Sequence, residues 1–350
     1  MVSDGDAQRQ VPADVGVPHD RTGRAAGAGT GRPAPPEDPP ATADPRERSP
    51  RLPLIMGALG ALAIAFSGIF VRLAEVTPTT SAVYRCAYAL PLLALLATRE
   101  RRTHGARDAR QRRLSLAAGV AFAIDLVSWH YAISAVGAGL ATVLANVQVA
   151  IVGVVAWVVL GERPSRATLS AIPVMLIGVV LISGVVGAGA YGDNPPLGAV
   201  LGLTAAVGYS AFLLLLRAST SNQRHRAGAL FDATAVGAVG ALIAGAGIGD
   251  LSLAPTWPAH GWLVVLALNS QVLGWLLISY ALPRLPAVVT SVLLLLQPVG
   301  AVLLGMVLLA EAPSLVQLGG VGLVLAGIVV ATASDSARRR RPTPAVVPSG

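Results

Sequence analysis

Beyond residue 53 the chain alternates long apolar runs with short polar connections. Ten runs read as bilayer-crossing segments: 54–71, 79–98, 114–136, 138–160, 167–187, 197–216, 229–247, 262–282, 287–310 and 315–333. A hydrocarbon core about 30 Å thick takes roughly 20 apolar residues at about 1.5 Å each. Inside it the backbone must satisfy its own polar groups, so these runs are expected as helices and not strands. The pattern predicts an all-α integral membrane protein with ten transmembrane helices. The flanks differ. Residues 1–51 and 335–350 are rich in Pro, Gly and Arg and hold too little apolar surface to offset the entropy of ordering. They are expected as a disordered tail and a basic tail. No apolar core follows a short basic start, so no signal peptide is expected.

The apolar pattern also repeats. Tyr131 to Ile182 overlays Tyr280 to Ala331 with a constant shift of 149 and no gap. Gln148/Gln297, Glu162/Glu311, Pro164/Pro313, Ser165/Ser314, Leu169/Leu318 and Gly178/Gly327 are among the matches. A period this long in an apolar chain indicates two homologous halves, 52–190 and 195–334. Each holds five helices, an odd number, so the halves should face opposite ways across the membrane. Inverted repeats allow one half to rock against the other around a midplane site.

Composition sharpens this reading. The chain is 54% hydrophobic and 13% charged, with mean hydropathy +0.65, against about 25% charged in soluble domains. Its net charge of +8 sets 26 basic residues, all arginine, against 18 acidic ones. They cluster between apolar runs, at Arg99 to Arg113, Arg163 and Arg166, Arg217 to Arg226, and Arg284, as well as in both tails. Arg72 alone falls in a connection on the opposite side. This is a topology signal and not a nucleic-acid face. By the positive-inside rule both termini are expected in the cytoplasm of a multi-pass plasma-membrane protein. Glu162 then lies at the cytoplasmic side and Glu311 at the outer side. The single cysteine, Cys86, excludes an intrachain disulfide.

Polar residues within the spans mark the candidate pathway, because intramembrane charge is costly and usually faces a cavity or a partner. Asp125 is the one carboxylate deep in a span, and Arg85 lies in the preceding helix. They read either as a proton or substrate site with its modulator, or as a structural pair. Trp129 shares a helix face with Asp125, and His130 beside it reads as a proton relay or an interfacial hydrogen-bonding group. Trp129, Tyr131, Trp275 and Tyr280 fit an aromatic cavity lining or interfacial belts. Asn146, Gln148, Gln271 and Gln297 fit cavity lining or interhelical hydrogen bonds. Glu162 and Glu311, before Pro-Ser, read as helix-end and gate residues. Asp232 is expected to pair with a loop arginine.

The fourth helices end in Leu160-Gly-Glu-Arg-Pro-Ser165 and Leu309-Ala-Glu-Ala-Pro-Ser314, and the fifth carry Gly178 and Gly327. With Phe66-Ser-Gly-Ile-Phe-Val-Arg-Leu-Ala74 and Tyr84-Arg85, residues 54–333 resemble the EamA-type exporters of the drug/metabolite transporter superfamily. The resemblance implies export of small metabolites, often amino acids. It also brings a proline thirteen residues before the fourth-helix glutamate, present as Pro298 but replaced by Val149 in the first half. Any helix break is therefore expected to be weaker in the first half.

Enzyme chemistry finds little support. Gly247-Ile-Gly249-Asp250 matches a short intramembrane-protease string but falls in a loop without a Tyr-Asp partner. No HExxH, P-loop or GxSxG motif occurs. We expect no catalytic residues, no metal and no cofactor. The expected partners are a small-molecule substrate and the bilayer, with no nucleic acid; small-residue runs also suit a homodimer face. The alternative is a passive channel or lipid-handling protein of the same fold.

Overall fold

The apolar runs fold as helices in the computed structural model, which describes residues 51–160, 165–220, 224–254, 256–281, 284–285 and 287–339. In chain order these are α1 (Arg51–Ala65), α2 (Ser67–Leu73), α3 (Pro78–His104), α4 (Ala109–Val136), α5 (Ala138–Ala145), α6 (Gln148–Leu160) and α7 (Arg166–Ile182). The second half follows with α8 (Pro195–Ser219), α9 (Arg226–Ile248), α10 (Ala259–Leu266), a π-helical segment (Ala267–Gly274), α11 (Trp275–Ala281), α12 (Ala287–Leu308) and α13 (Leu315–Arg339). No strand occurs among the described residues. Among the described residues, eight continuous or jointed helices are long and apolar enough to cross a membrane, and two shorter apolar ones, Arg166–Ile182 and Leu293–Leu308, bring the number to ten.

Several boundaries differ from expectation. The arginine-rich connection expected between 98 and 114 is mostly helix, because α3 continues to His104 and α4 starts at Ala109. The fifth helix stops at Ile182 and not 187, and α13 runs to Arg339, past the expected end of the last span. Of the tail expected at 1–51, residues 1–50 lie outside the described residues, as does Glu162 with its neighbours 161–164, while Arg51 opens α1.

Three expected spans are jointed. In the first, the Ser67 hydroxyl donates to the Ile64 carbonyl at the α1–α2 joint. The Ala63 carbonyl accepts from Asn269 Nδ2 (2.7 Å) and Ser270 Oγ (3.1 Å) of the π-helical segment. Side chains that bond to backbone in this way compete with the helical ladder. In the fourth span, Asn146 Nδ2 donates to the Thr142 carbonyl at 2.8 Å. The Val147 and Val149 amides then bond three residues back, to Leu144 (3.1 Å) and Asn146 (3.2 Å), which tightens the turn between α5 and α6. The expectation that a break follows the proline is corrected here. The half lacking the proline is interrupted, whereas α12 runs unbroken through Pro298.

The halves pack reciprocally. Gly178 of α7 lies against Val324 of α13, while its repeat image Gly327 lies against Met175, itself the image of Val324. As one position advances along α7, its partner retreats along α13, so the two helices are antiparallel. That exchange of partners is what a pseudo-two-fold axis between inverted halves produces. α3 and α9 pair the same way, with Thr79 near Gly245 and Asp250 at one end and Glu100 near Ala227 at the other. α4 packs extensively on α8. Small residues permit this closeness: a Cβ at Gly208 would strike the Asp125 backbone, and one at Gly198 would strike Val136.

Candidate functional site

Where the jointed helices meet lies a small, partly open cavity of about 70 Å³. Its polar and aromatic lining includes Ser67, Arg85, Asp125, Trp129, Asn146, Tyr209, Trp275 and Gln297, with Phe122 and Thr142 also on the wall. Both halves contribute. Arg85 is 6% exposed and Asp125 9%, so both charges are withdrawn from bulk solvent. Arg85 Nε donates to Gln271 Oε1 at 3.2 Å, and Gln271 Nε2 donates to Thr234 Oγ1 at 3.1 Å. The guanidinium sits 5.5 Å from the centre of the Trp129 ring, within cation–π reach. The Asp125 side chain makes no hydrogen bond or ion pair among the described residues, and the one ion pair found there joins Arg107 to Asp232 at 2.5 Å. The arginine and the carboxylate thus border one cavity without engaging each other. The ring of Tyr209 packs against Phe212 and Trp275, which fixes the aromatic wall.

A second feature ties the halves together. The Glu311 carboxylate, 4% exposed, accepts from the Ala138 amide at 2.5 Å and the Gly139 amide at 3.1 Å. An acid from the connection after α12 therefore caps the N-terminus of α5, where donors lack partners and the helix dipole favours negative charge. Gly137 (φ +87°) supplies the left-handed turn, and a Cβ there, or at Gly305, would collide with the carboxylate. Burial holds the Glu311 carboxyl above its ordinary range, opposed by the two amides and by Arg72. Beside the cap lies a larger cavity of about 150 Å³, lined by Arg72, Ser134, Gly137, Tyr191, Gly192 and Asp193. Its charged residues are exposed. The smaller cavity, with two buried charges, is the better candidate site, since intramembrane ionisable groups mark pathways.

The model of the EamA-like transporter family matches residues 51–184 and 196–333, once per half. The chain belongs to the EamA-like transporter family. It is thus a multi-pass membrane transporter of the drug/metabolite transporter superfamily, and the two matched segments are the two halves seen in the fold. The transporter is also similar to a solved structure described as "Crystal structure of protein", with 17% identity and a TM-score of 0.55. That likeness covers 84% of this chain and 100% of the other, and speaks to the fold alone. No curated protein matches the chain.

Of the residues singled out from the sequence, the transporter brings Arg85, Asp125, Trp129, Asn146, Trp275 and Gln297 to the cavity. A direct Arg85–Asp125 pair does not form; Gln271, off the wall, holds Arg85 instead. Gln148 is buried away from the wall, its carbonyl accepting from Ser210 Oγ at 3.2 Å. His130 is fully buried off the wall, and its Nδ1 donates to the Leu126 carbonyl at 2.6 Å. Tyr280 is not part of the lining and stacks under Arg284, 4.0 Å from the ring centre. Tyr131 donates to Asp250 at 2.5 Å. The expected Asp232 partner is Arg107. Sequence reasoning missed Tyr209, Ser67 and Thr142. Tyr209 had a signal, a phenol within an uncharged, mostly apolar sixth span; the two hydroxyls had none, being common in helices.

Proposed function

We propose that this chain is a secondary transporter that exports small polar metabolites, amino acids among them, by alternating access coupled to protons. Its substrate binds at the cavity between the halves. One observation carries this reading: a buried arginine and a buried carboxylate border the same cavity, unpaired with each other. A guanidinium is suited to a substrate carboxylate, and Asp125 to an ammonium group or a proton. Trp129, Tyr209 and Trp275 offer apolar faces to the rest of the molecule. At about 70 Å³ the cavity falls below the roughly 300–1,000 Å³ of drug-sized sites, which fits a small substrate.

The inverted halves supply the rocking geometry, and the Glu311 cap joins one half to the start of α5, eight residues before the joint at the cavity. We assign Glu311 as a gate on that end. The arginine distribution supports cytoplasmic termini in the plasma membrane. Without a P-loop in the sequence, the driving force is an ion or substrate gradient.

The test uses inside-out vesicles offered a mixed amino-acid and metabolite pool, with accumulation followed by mass spectrometry with and without a proton gradient. One compound class should accumulate and be lost when the gradient collapses. D125N should abolish gradient-driven accumulation while counterflow persists; intact accumulation in D125N would overturn the assignment of Asp125. Flux that neither saturates nor shows counterflow would make the protein a channel.

A further inference from the structure

The end of the molecule where α3 meets α4 carries an excess of charge that the protein does not use internally. Residues 99–113 contain seven arginines against two acids, Glu100 and Asp108. One arginine, Arg107, is committed to Asp232. One acid, Glu100, is committed to the Ala227 and Gly228 amides, each at 2.9 Å, where it caps α9. The remaining arginines, Arg99, Arg101, Arg102, Arg110, Arg112 and Arg113, are all exposed and have no acidic partner among the described residues.

Two further features make the placement unusual. Arg110, Arg112 and Arg113 lie at the N-terminal end of α4, whose first turn holds no acid, and Asp108 at the N-cap position makes no side-chain cap bond. A helix start favours negative charge, so three cations there oppose the helix dipole. Intrinsic helix stability therefore does not account for them, and an external anion would relieve both the dipole conflict and the mutual repulsion. Length decides where that anion sits. α3 has 27 residues and α4 has 28, about 40 Å each at about 1.5 Å per residue. This exceeds the hydrocarbon core of about 30 Å and matches the roughly 40–45 Å that includes the headgroups. The shared arginine-bearing end thus stands at headgroup level. Every cation here is an arginine, whose planar fork engages phosphate in a bidentate way that lysine cannot.

We infer that this corner is a binding surface for anionic phospholipid headgroups, with the phosphodiester lodged between the end of α3 and the start of α4. The test is native mass spectrometry of the purified full-length protein titrated in detergent with phosphatidylglycerol or phosphatidylcholine. Phosphatidylglycerol should bind at least about tenfold more tightly, and weaken with salt, as expected for several arginines at one surface. R110Q/R112Q/R113Q should lose most of that preference, and R110K/R112K/R113K should keep part of it. If the glutamine variant fails to insert, the lipid comparison and the salt series on the unaltered protein decide. Equal binding of the two lipids, or a folded glutamine variant indistinguishable from the parent, would overturn the inference. Inorganic phosphate displacing phosphatidylglycerol at equal concentration would also overturn it, by making the surface a general anion site.

Discussion

The fourth helix of each half carries a glutamine at the same repeat position, yet the two backbones behave differently. In the first half the helix is jointed between α5 and α6 and lacks the proline; in the second, α12 is continuous and contains Pro298. Proline withholds an N–H from the ladder, but here the ladder fails where a side chain intrudes. Asn146 Nδ2 takes the Thr142 carbonyl, and the next amides fall back to nearer acceptors. The joint alters what the equivalent glutamines do. Gln297 lines the cavity, while Gln148 is buried outside its lining and its backbone carbonyl accepts from Ser210. The lesson is that repeat symmetry in sequence does not carry over to symmetric roles once local hydrogen bonding breaks the register.

The largest effect should come from removing the device that holds the jointed helix at its start. E311A leaves the buried Ala138 and Gly139 amides unpaired and should cost roughly 2–4 kcal/mol, while E311Q retains an acceptor and should cost about 1 kcal/mol. Equilibrium unfolding in detergent reads the difference; equal losses would mean the contact is only steric. Next comes proline itself, used to contrast the two helices. L303P, at an outward-facing position inside α12, should cost about 3 kcal/mol or more, whereas V149P falls in the first turn of α6 and should cost about 1 kcal/mol. Similar penalties at both sites would show that the first-half helix is effectively continuous. The smallest stability effect belongs to N146A, which removes the competing amide and should stay within about 1 kcal/mol of the parent. Its transport should nevertheless fall, because the joint and one polar lining group are lost together. Unchanged transport would mean that the joint does not serve the site.

Much of this was legible along the chain. The apolar runs, the shift of 149 and the arginine clusters carry the helix count and the pairing of halves. Asp125 and Arg85 stood out because charge in an apolar span is rare for an energetic reason. Tyr280 was misleading, since an aromatic near a span end reads alike whether it faces a cavity or stacks on Arg284. His130 was ambiguous for a similar reason: its Nδ1 donates to the carbonyl four residues back while its buried Nε2 has no partner among the described residues, and nothing in its neighbours along the chain reveals either.

By itself, the sequence determined the membrane class, the ten helical runs, the inverted repeat and the identity of the two buried charges, because each depends on hydrophobicity and period along one dimension. Tertiary structure alone decided which polar groups meet. Gln271 reaches Arg85 across 186 positions, Glu311 caps α5 across 173, and Tyr209 joins the wall from the second half. Those contacts follow from how helices rotate and approach one another, which side-chain-to-backbone hydrogen bonds and glycine contacts set only after the chain has folded.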